Sequence, residues 1–295
     1  MIKVHHAGKM GDVIYALPVL RALARVHHDK IHLTTSGMVV PLVPLLWEQP
    51  YMAEVALDDT QPYEIVNYIF PNWEYYKAGE GYNLSCQPKY FEPTCPASWT
   101  WAAAWVAGVD TLEPSDYVVL PSLVNHRRWT YGITTTNNGK PQRAVRAAVV
   151  APECETLDIM LPRYWQTVID ALAEYGPVLV VGMHPAPPYF HCTDLRGLIT
   201  LPVAARLIAE ASYFVGAHSL PWHLARHSEV PTICFQTYRD GLYRCIPVDT
   251  GCDWIQPANL NLVLDRIHTH FLPKEVTYAE RQCLRSSTLS SVPVS

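Results

Sequence analysis

Tyr213-Phe214-Val215-Gly216-Ala217-His218-Ser219-Leu220-Pro221-Trp222-His223-Leu224-Ala225 runs from a short apolar strand, Tyr213–Val215, through a turn into a helix that starts near Ser219. Ser219 is a natural N-cap, and Pro221 suits the first helical turn, where its missing N–H costs nothing. A helix start leaves backbone N–H groups unbonded and carries a partial positive charge, so it can hold a diphosphate. His218 and His223 could each add a donor to phosphate or sugar oxygens. His223 reads equally as an ordinary helical histidine packed beside Trp222.

The flanking sequence repeats the alternation. Upstream lie a strand at Arg146–Val150, a helix at Tyr164–Tyr175 ended by Gly176, a strand at Val178–Val181 closed by Gly182, and a helix at Leu201–Ala211. Downstream come a helix to His227, a strand at Thr232–Phe235 and a helix at Asn259–Phe271, which is expected to pack back across the molecule. Regular β and α alternation predicts a doubly wound parallel sheet. The N-terminus gives a second unit: strand Ile2–His5, loop Gly8–Gly11, helix Asp12–His27 with Val13, Leu17, Leu20 and Ala24 at helical spacing, and strand Ile31–Thr34. A proline-interrupted helix and a strand at Glu54–Leu57 follow. Residues 60–100 are rich in Tyr, Trp, Pro and Asn and read as irregular, and Ser98–Ala107 reads as a short helix closed by Gly108. The polar stretch 125–142, with Thr-Thr-Thr-Asn-Asn-Gly, is the best linker. The expectation is two Rossmann-like domains facing a cleft, 1–142 and 143–295, in keeping with 295 residues at about 150 per domain.

Composition narrows the partners. Apolar residues make up 49% and charged residues 17%, which is enough to build cores and unlike a disordered chain. A net charge of −5 gives no overall basic field for nucleic acid. The eight cysteines include no C-x-x-C pair and read as reduced thiols of the cytoplasm. No leader peptide and no spanning helix are expected.

Three further segments carry possible chemistry. Lys9-Met10-Gly11-Asp12 sits where a strand hands over to a helix, the edge at which open α/β sheets bind ligands. Gly11 permits close backbone approach there. Asp12 lies in the field of the helix start, which favours its ionised form. It can act as a general base toward a hydroxyl, or simply cap the helix. Val149–Glu153 and Val181-Gly182-Met183 end two strands of the second half, where a nucleotide lies in such a sheet, though each also fits a plain β-to-α loop. No dinucleotide glycine fingerprint, P-loop, nucleophile elbow or D-x-D pair is present, and the histidines lack zinc spacing, so no metal and no cofactor are expected.

The pieces together resemble the ADP-heptose:lipopolysaccharide heptosyltransferase family of GT-B enzymes. Gly11-Asp12-Val13 followed by Pro18, Leu20, Ala22 and Leu23 looks like that family's opening signature. Leu46–Leu57, Leu161-Pro162-Arg163-Tyr164-Trp165, Asp194-Leu195-Arg196-Gly197, Val215–Ala225 and Phe235 with Gly241-Leu242-Tyr243 are similar to its later motifs. Residues 60–142, the acceptor side, show little resemblance. The resemblance implies a metal-independent inverting glycosyltransferase. It would move sugar from a nucleotide-diphosphate donor to an acceptor hydroxyl, with Asp12 as base and Ser219 and His223 at the donor. Donor contacts are expected from Lys9, Gly11, Pro152, Glu153, Gly182, Met183, His218, Ser219 and His223.

The departures bear on the donor. His218 stands where the family has aspartate, Leu220 where it has glycine, and Asp158-Ile159-Met160-Leu161 offers no lysine before the next helix. The acceptor is expected to be a surface glycan such as lipopolysaccharide core, reached peripherally at the inner membrane. An alternative is a modified base of phage-type DNA, for which the aromatics of 63–105 and Arg127-Arg128 could stack. A rival of another class is a non-catalytic nucleotide-sugar binding protein.

Overall fold

The computed structural model describes residues 1–58, 81–84, 104, 107–113, 116, 146–153, 161–185, 187–217, 219–228, 230–235, 252–255 and 259–271. The expected linker at 125–142, Arg127, Arg128 and His218 lie outside them, as does nearly all of the expected helix at 98–107.

Ile2–His6 (β1) turns Val4 and His6 inward, as the period of two requires. Met10–His27 (α1) returns the chain to Ile31–Ser36 (β2), which runs parallel to β1 with Ile2 opposite Ile31. α1 buries Val13, Ile14, Leu17, Val19, Leu20 and Leu23, so it is apolar around most of its girth, as a helix covered on more than one side must be. A 3-10 turn, Gly37–Leu42, and a short helix, Val43–Trp47 (α2), lead to Met52–Asp58 (β3) beside β2. Tyr82–Asn83 (β4) pairs with the other edge of β1. All four strands are parallel, in the order β3-β2-β1-β4.

The second sheet begins at Ala148–Ala151 (β5). Then follow Pro162–Ala173 (α3), Val178–Val180 (β6), Thr193–Asp194 (β7), Leu201–Ala209 (α4), Tyr213–Ala217 (β8), Leu220–His227 (α5), Thr232–Phe235 (β9), Cys252–Ile255 (β10) and Leu260–Phe271 (α6). Its six parallel strands lie in the order β10-β9-β8-β5-β6-β7. Counted from β5, this is the Rossmann order 3-2-1-4-5-6. The fold is therefore mixed α/β with two parallel sheets.

β5 is buried along its whole length, and its side chains divide between two cores. Ala148 and Val150 join Trp165 and Ile169 of α3 and Val263 and Ile267 of α6. Val149 and Ala151 join a core that continues through Ile208 of α4 and Trp222 of α5 to Leu17 of α1 and Val4 of β1.

Several expectations are corrected. α1 starts at Met10, so the expected loop Gly8–Gly11 is half helix and Asp12 is its third residue rather than its N-cap. β5 starts at Ala148 rather than Arg146. α6 was expected to pack across the molecule but packs on α3 beside its own sheet. β4, β7 and β10 were not expected. Two of them have only two residues, too few for a pattern of their own, and the register of the neighbouring strand defines them. Among the described residues, no helix is long and apolar enough to cross a membrane.

Candidate functional site

In an open parallel sheet, the crevice forms at the carboxyl ends where strand order reverses. In the second sheet that point lies between β5 and β8, and it delivers Pro152 and Glu153 from one strand and Ser219 with the start of α5 from the other. In the first sheet it lies between β1 and β4, and it delivers Ala7–Lys9 and the start of α1.

The β1 end is held from β2. Thr35 Oγ1 donates to the His6 carbonyl at 2.8 Å, and Ser36 Oγ to the Gly8 carbonyl at 3.5 Å; both hydroxyl residues are buried. The Gly8 N–H donates to His6 Nδ1 at 3.1 Å, and the Lys9 N–H donates to Asp12 Oδ2 at 2.9 Å. Asp12 thus satisfies a free N–H at the start of α1, as capping does, from the third position of the helix. Gly8 is wedged between the two side chains. A Cβ there would stand 2.6 Å from both His6 Cε1 and Asp12 Cβ. Imidazole and carboxylate therefore flank the same glycine.

Their electrostatics differ. Burial pushes the Asp12 carboxyl above the usual aspartate range, and this outweighs the opposing Lys9 N–H bond and Lys9 charge. The helix field was expected to favour ionisation, but desolvation wins, and the carboxylate becomes a better proton acceptor than an ordinary aspartate. His6, 5% exposed, is lowered by burial from 6.5 to about 4 and is neutral at pH 7.

A stability prediction follows from His6. Between pH 6.5 and pH 4 the unfolded chain takes up a proton that folded His6 refuses, so stability falls as pH falls through that window. The full loss is about 3 kcal/mol, and none is expected above pH 7.5. Urea unfolding of wild type and His6→Asn at pH 7.5 and pH 4.5 checks it. The variant should lose about 2 kcal/mol less than wild type on acidification, and equal losses would refute the assignment.

α1 and α5 meet beside this loop. A Cβ on Gly11 would stand 3.1 Å from His223 Cδ2, so any larger residue there obliges that ring to give by a few tenths of an ångström. His223 is 4% exposed, with Tyr15 edge-on at a 4.1 Å centroid distance and Trp222 at 4.6 Å. Gly11 and His223, expected from sequence on separate segments, are brought into contact. Ser219 takes the N-cap position of α5, but its hydroxyl turns back to the Ala217 carbonyl at 3.4 Å instead of capping the helix.

Pro152, Glu153, Gly182 and Met183 form a second group. Glu153 accepts the Met183 N–H at 2.7 Å and the His184 N–H at 3.1 Å, directly over Gly182, where a Cβ would meet its Oε2 at 2.6 Å. Buried Arg196 stands behind it at 3.6 Å. Arg196 Nη2 donates to Asp194 Oδ2 at 2.6 Å and to the Pro185 and Pro187 carbonyls at 3.1 and 2.5 Å, and its guanidinium lies 4.5 Å from the Tyr189 ring centre. Glu153 therefore shapes the turn after β6, while Met183 is left 72% exposed.

Sequence reading missed His6, Gly8 and Arg196 as parts of this arrangement. The signal for His6 was available: it follows Val4 by two in a strand, at a core-facing position where an apolar residue is expected. Among the described residues, no three His, Cys, Asp or Glu side chains gather as a metal site.

No known sequence family matches the chain, and no curated protein matches it. Solved structures do. A glycosyl transferase family 9 structure from Veillonella parvula matches at 12% identity and TM-score 0.61, covering 98% of this chain and 96% of that one. The E. coli heptosyltransferase WaaC with ADP matches at 13% and 0.62, covering 91% and 99%. The iron-containing dodecameric glycosyltransferase TibC from enterotoxigenic E. coli matches at 15% and 0.54, covering 92% and 76%. At these identities the shared property is the fold.

Proposed function

We propose that the chain is an inverting GT-B glycosyltransferase that moves a sugar from a nucleoside-diphosphate sugar to an acceptor hydroxyl. Asp12 carries the reading. It is a half-buried carboxylate of raised basicity, fixed by the Lys9 N–H at the carboxyl end of β1. It lies in a fold like those of a family 9 glycosyltransferase and of a heptosyltransferase holding ADP. In this mechanism the acceptor oxygen attacks the anomeric carbon from the face opposite the diphosphate and gives its proton to Asp12. The carbon–oxygen bond to the diphosphate breaks, and the leaving group keeps the electron pair.

The donor lies in the second half, at the Pro152–Glu153, Gly182–Met183 and Ser219 strand ends. The positive field at the start of α5 stabilises the departing diphosphate in place of a metal, with His218 or His223 as additional donor. The acceptor is a surface glycan of the lipopolysaccharide-core kind, reached from the cytoplasmic side.

The test is thermal shift and sugar release with ADP-heptose, UDP-glucose, UDP-N-acetylglucosamine and GDP-mannose, with and without EDTA. One donor at about 100 times its Kd should stabilise the fold by about 2.7 kcal/mol and be turned over equally with EDTA. Stabilisation without turnover would favour a nucleotide-sugar binding protein instead. No stabilisation and no turnover by any donor would overturn the reading, and loss with EDTA would overturn its metal independence.

A further inference from the structure

Burial leaves His6 with one edge to explain. Its Nδ1 accepts the Gly8 N–H at 3.1 Å, so the ring proton sits on Nε2. That Nε2 has no hydrogen-bond partner among the described residues. The side chain is only 5% exposed, yet Nε2 is not among the buried atoms left without a partner, so this one edge of the ring reaches solvent. An N–H edge open at the carboxyl end of a strand can be met by a ligand oxygen in place of water. The ring is also prevented from turning. Gly8 closes against Cε1, the Gly8 N–H holds Nδ1, and Thr35 fixes the His6 carbonyl. The opposite wall of the same glycine is the Asp12 carboxylate. A fixed neutral donor and a proton acceptor thus share one glycine at the carboxyl end of β1.

We propose that His6 is a catalytic hydrogen-bond donor: its Nε2–H holds the oxygen of the attacking hydroxyl while Asp12, across Gly8, takes that oxygen's proton. The inference rests on the transfer reading above. The oxygen accepts one bond from His6 and donates one to Asp12, which aims its remaining lone pair. As the acceptor O–H bond breaks, its proton passes to Asp12 and the new bond to the anomeric carbon forms. The bond to the diphosphate breaks, and His6 keeps its proton throughout. The role is orientation, a contribution worth roughly tenfold to a hundredfold.

His6→Asn and His6→Gln separate this role from a structural one. Asparagine keeps an acceptor near Nδ1 for the Gly8 N–H and loses the donor, whereas glutamine restores an amide N–H near Nε2. The readouts at pH 7.5 are thermal midpoint, affinity for ADP, and sugar release from whichever of the four named nucleotide sugars the wild type turns over, water serving as acceptor. His6→Asn should match wild type in the first two and release sugar about ten to a hundred times more slowly, with His6→Gln several-fold faster than His6→Asn. Release by His6→Asn within threefold of wild type overturns the inference, as does equal loss of ADP affinity and release in both variants. Nitrogen-15 NMR of the wild-type imidazoles keeps the test open if the variants misfold: a proton found on His6 Nδ1 rather than Nε2 overturns it. If wild type releases no sugar from any donor, the transfer reading falls and this inference with it.

Discussion

Asp12→Asn is expected to slow sugar transfer by about 10²- to 10⁴-fold, the usual contribution of a general base, while leaving ADP affinity and the fold intact. The asparagine carbonyl can still accept the Lys9 N–H that Asp12 Oδ2 accepts at 2.9 Å, so the start of α1 keeps its partner. What is lost is the proton acceptor. The pH profile supplies an independent check. The base works as a carboxylate, so the rate should rise with pH through the Asp12 ionisation. Because burial raises that pKa, the rise should lie above the range of an ordinary aspartate near 3.8. The residual rate of Asp12→Asn should lack this limb. A drop of less than about tenfold, or an unchanged acid limb, would remove Asp12 from the mechanism.

Arg196→Ala is expected to be among the most destabilising single substitutions, at about 3 kcal/mol or more. The arginine side chain is 1% exposed and ties Asp194, Glu153 and two proline carbonyls to one centre. Burial alone would raise the Asp194 carboxyl, but its bonds to Arg196 together hold it below the usual range. Removing the guanidinium leaves that carboxylate with only the backbone N–H of residue 196 at 3.2 Å and takes the Arg196 donor from both carbonyls, and breaking such a pair costs more than the pair contributed. The turn at Met183–His184, set by Glu153, should loosen as well. Arg196→Lys keeps the charge without the planar fork and should fall between. Urea unfolding at pH 7.5 measures the effect, and a loss below about 1 kcal/mol for alanine would show that Arg196 is not the tie described.

The fold was legible where strands were long and apolar. β1, β2, β8 and β9 and the helices between them carry their periodicities openly, and alternation alone indicated parallel sheets. β7 and β10 were not legible, because their position comes from the edge of a neighbouring strand. The start of α1 was misjudged for a physical reason. An aspartate in the third helical position satisfies a free N–H as well as one at the cap, and the two look alike in a sequence. Asp12 was readable as a candidate from its place between strand and helix. Its raised basicity was not, since desolvation depends on neighbours brought in by the fold. Arg196 is joined to Glu153 across a helix and two strands, and no local spacing announces such a pair.

The contact between Gly11 and His223 has an evolutionary consequence. The ring crowds the space that a side chain at position 11 would enter. The two positions are coupled: a side chain at 11 presses on the ring at 223, and a smaller residue at 223 opens a void beside Tyr15 and Trp222. Across diverging descendants of this chain, changes at the two positions should be correlated. A glycine that looks like part of a local motif would then be inherited as half of a pair whose other member lies more than two hundred residues away.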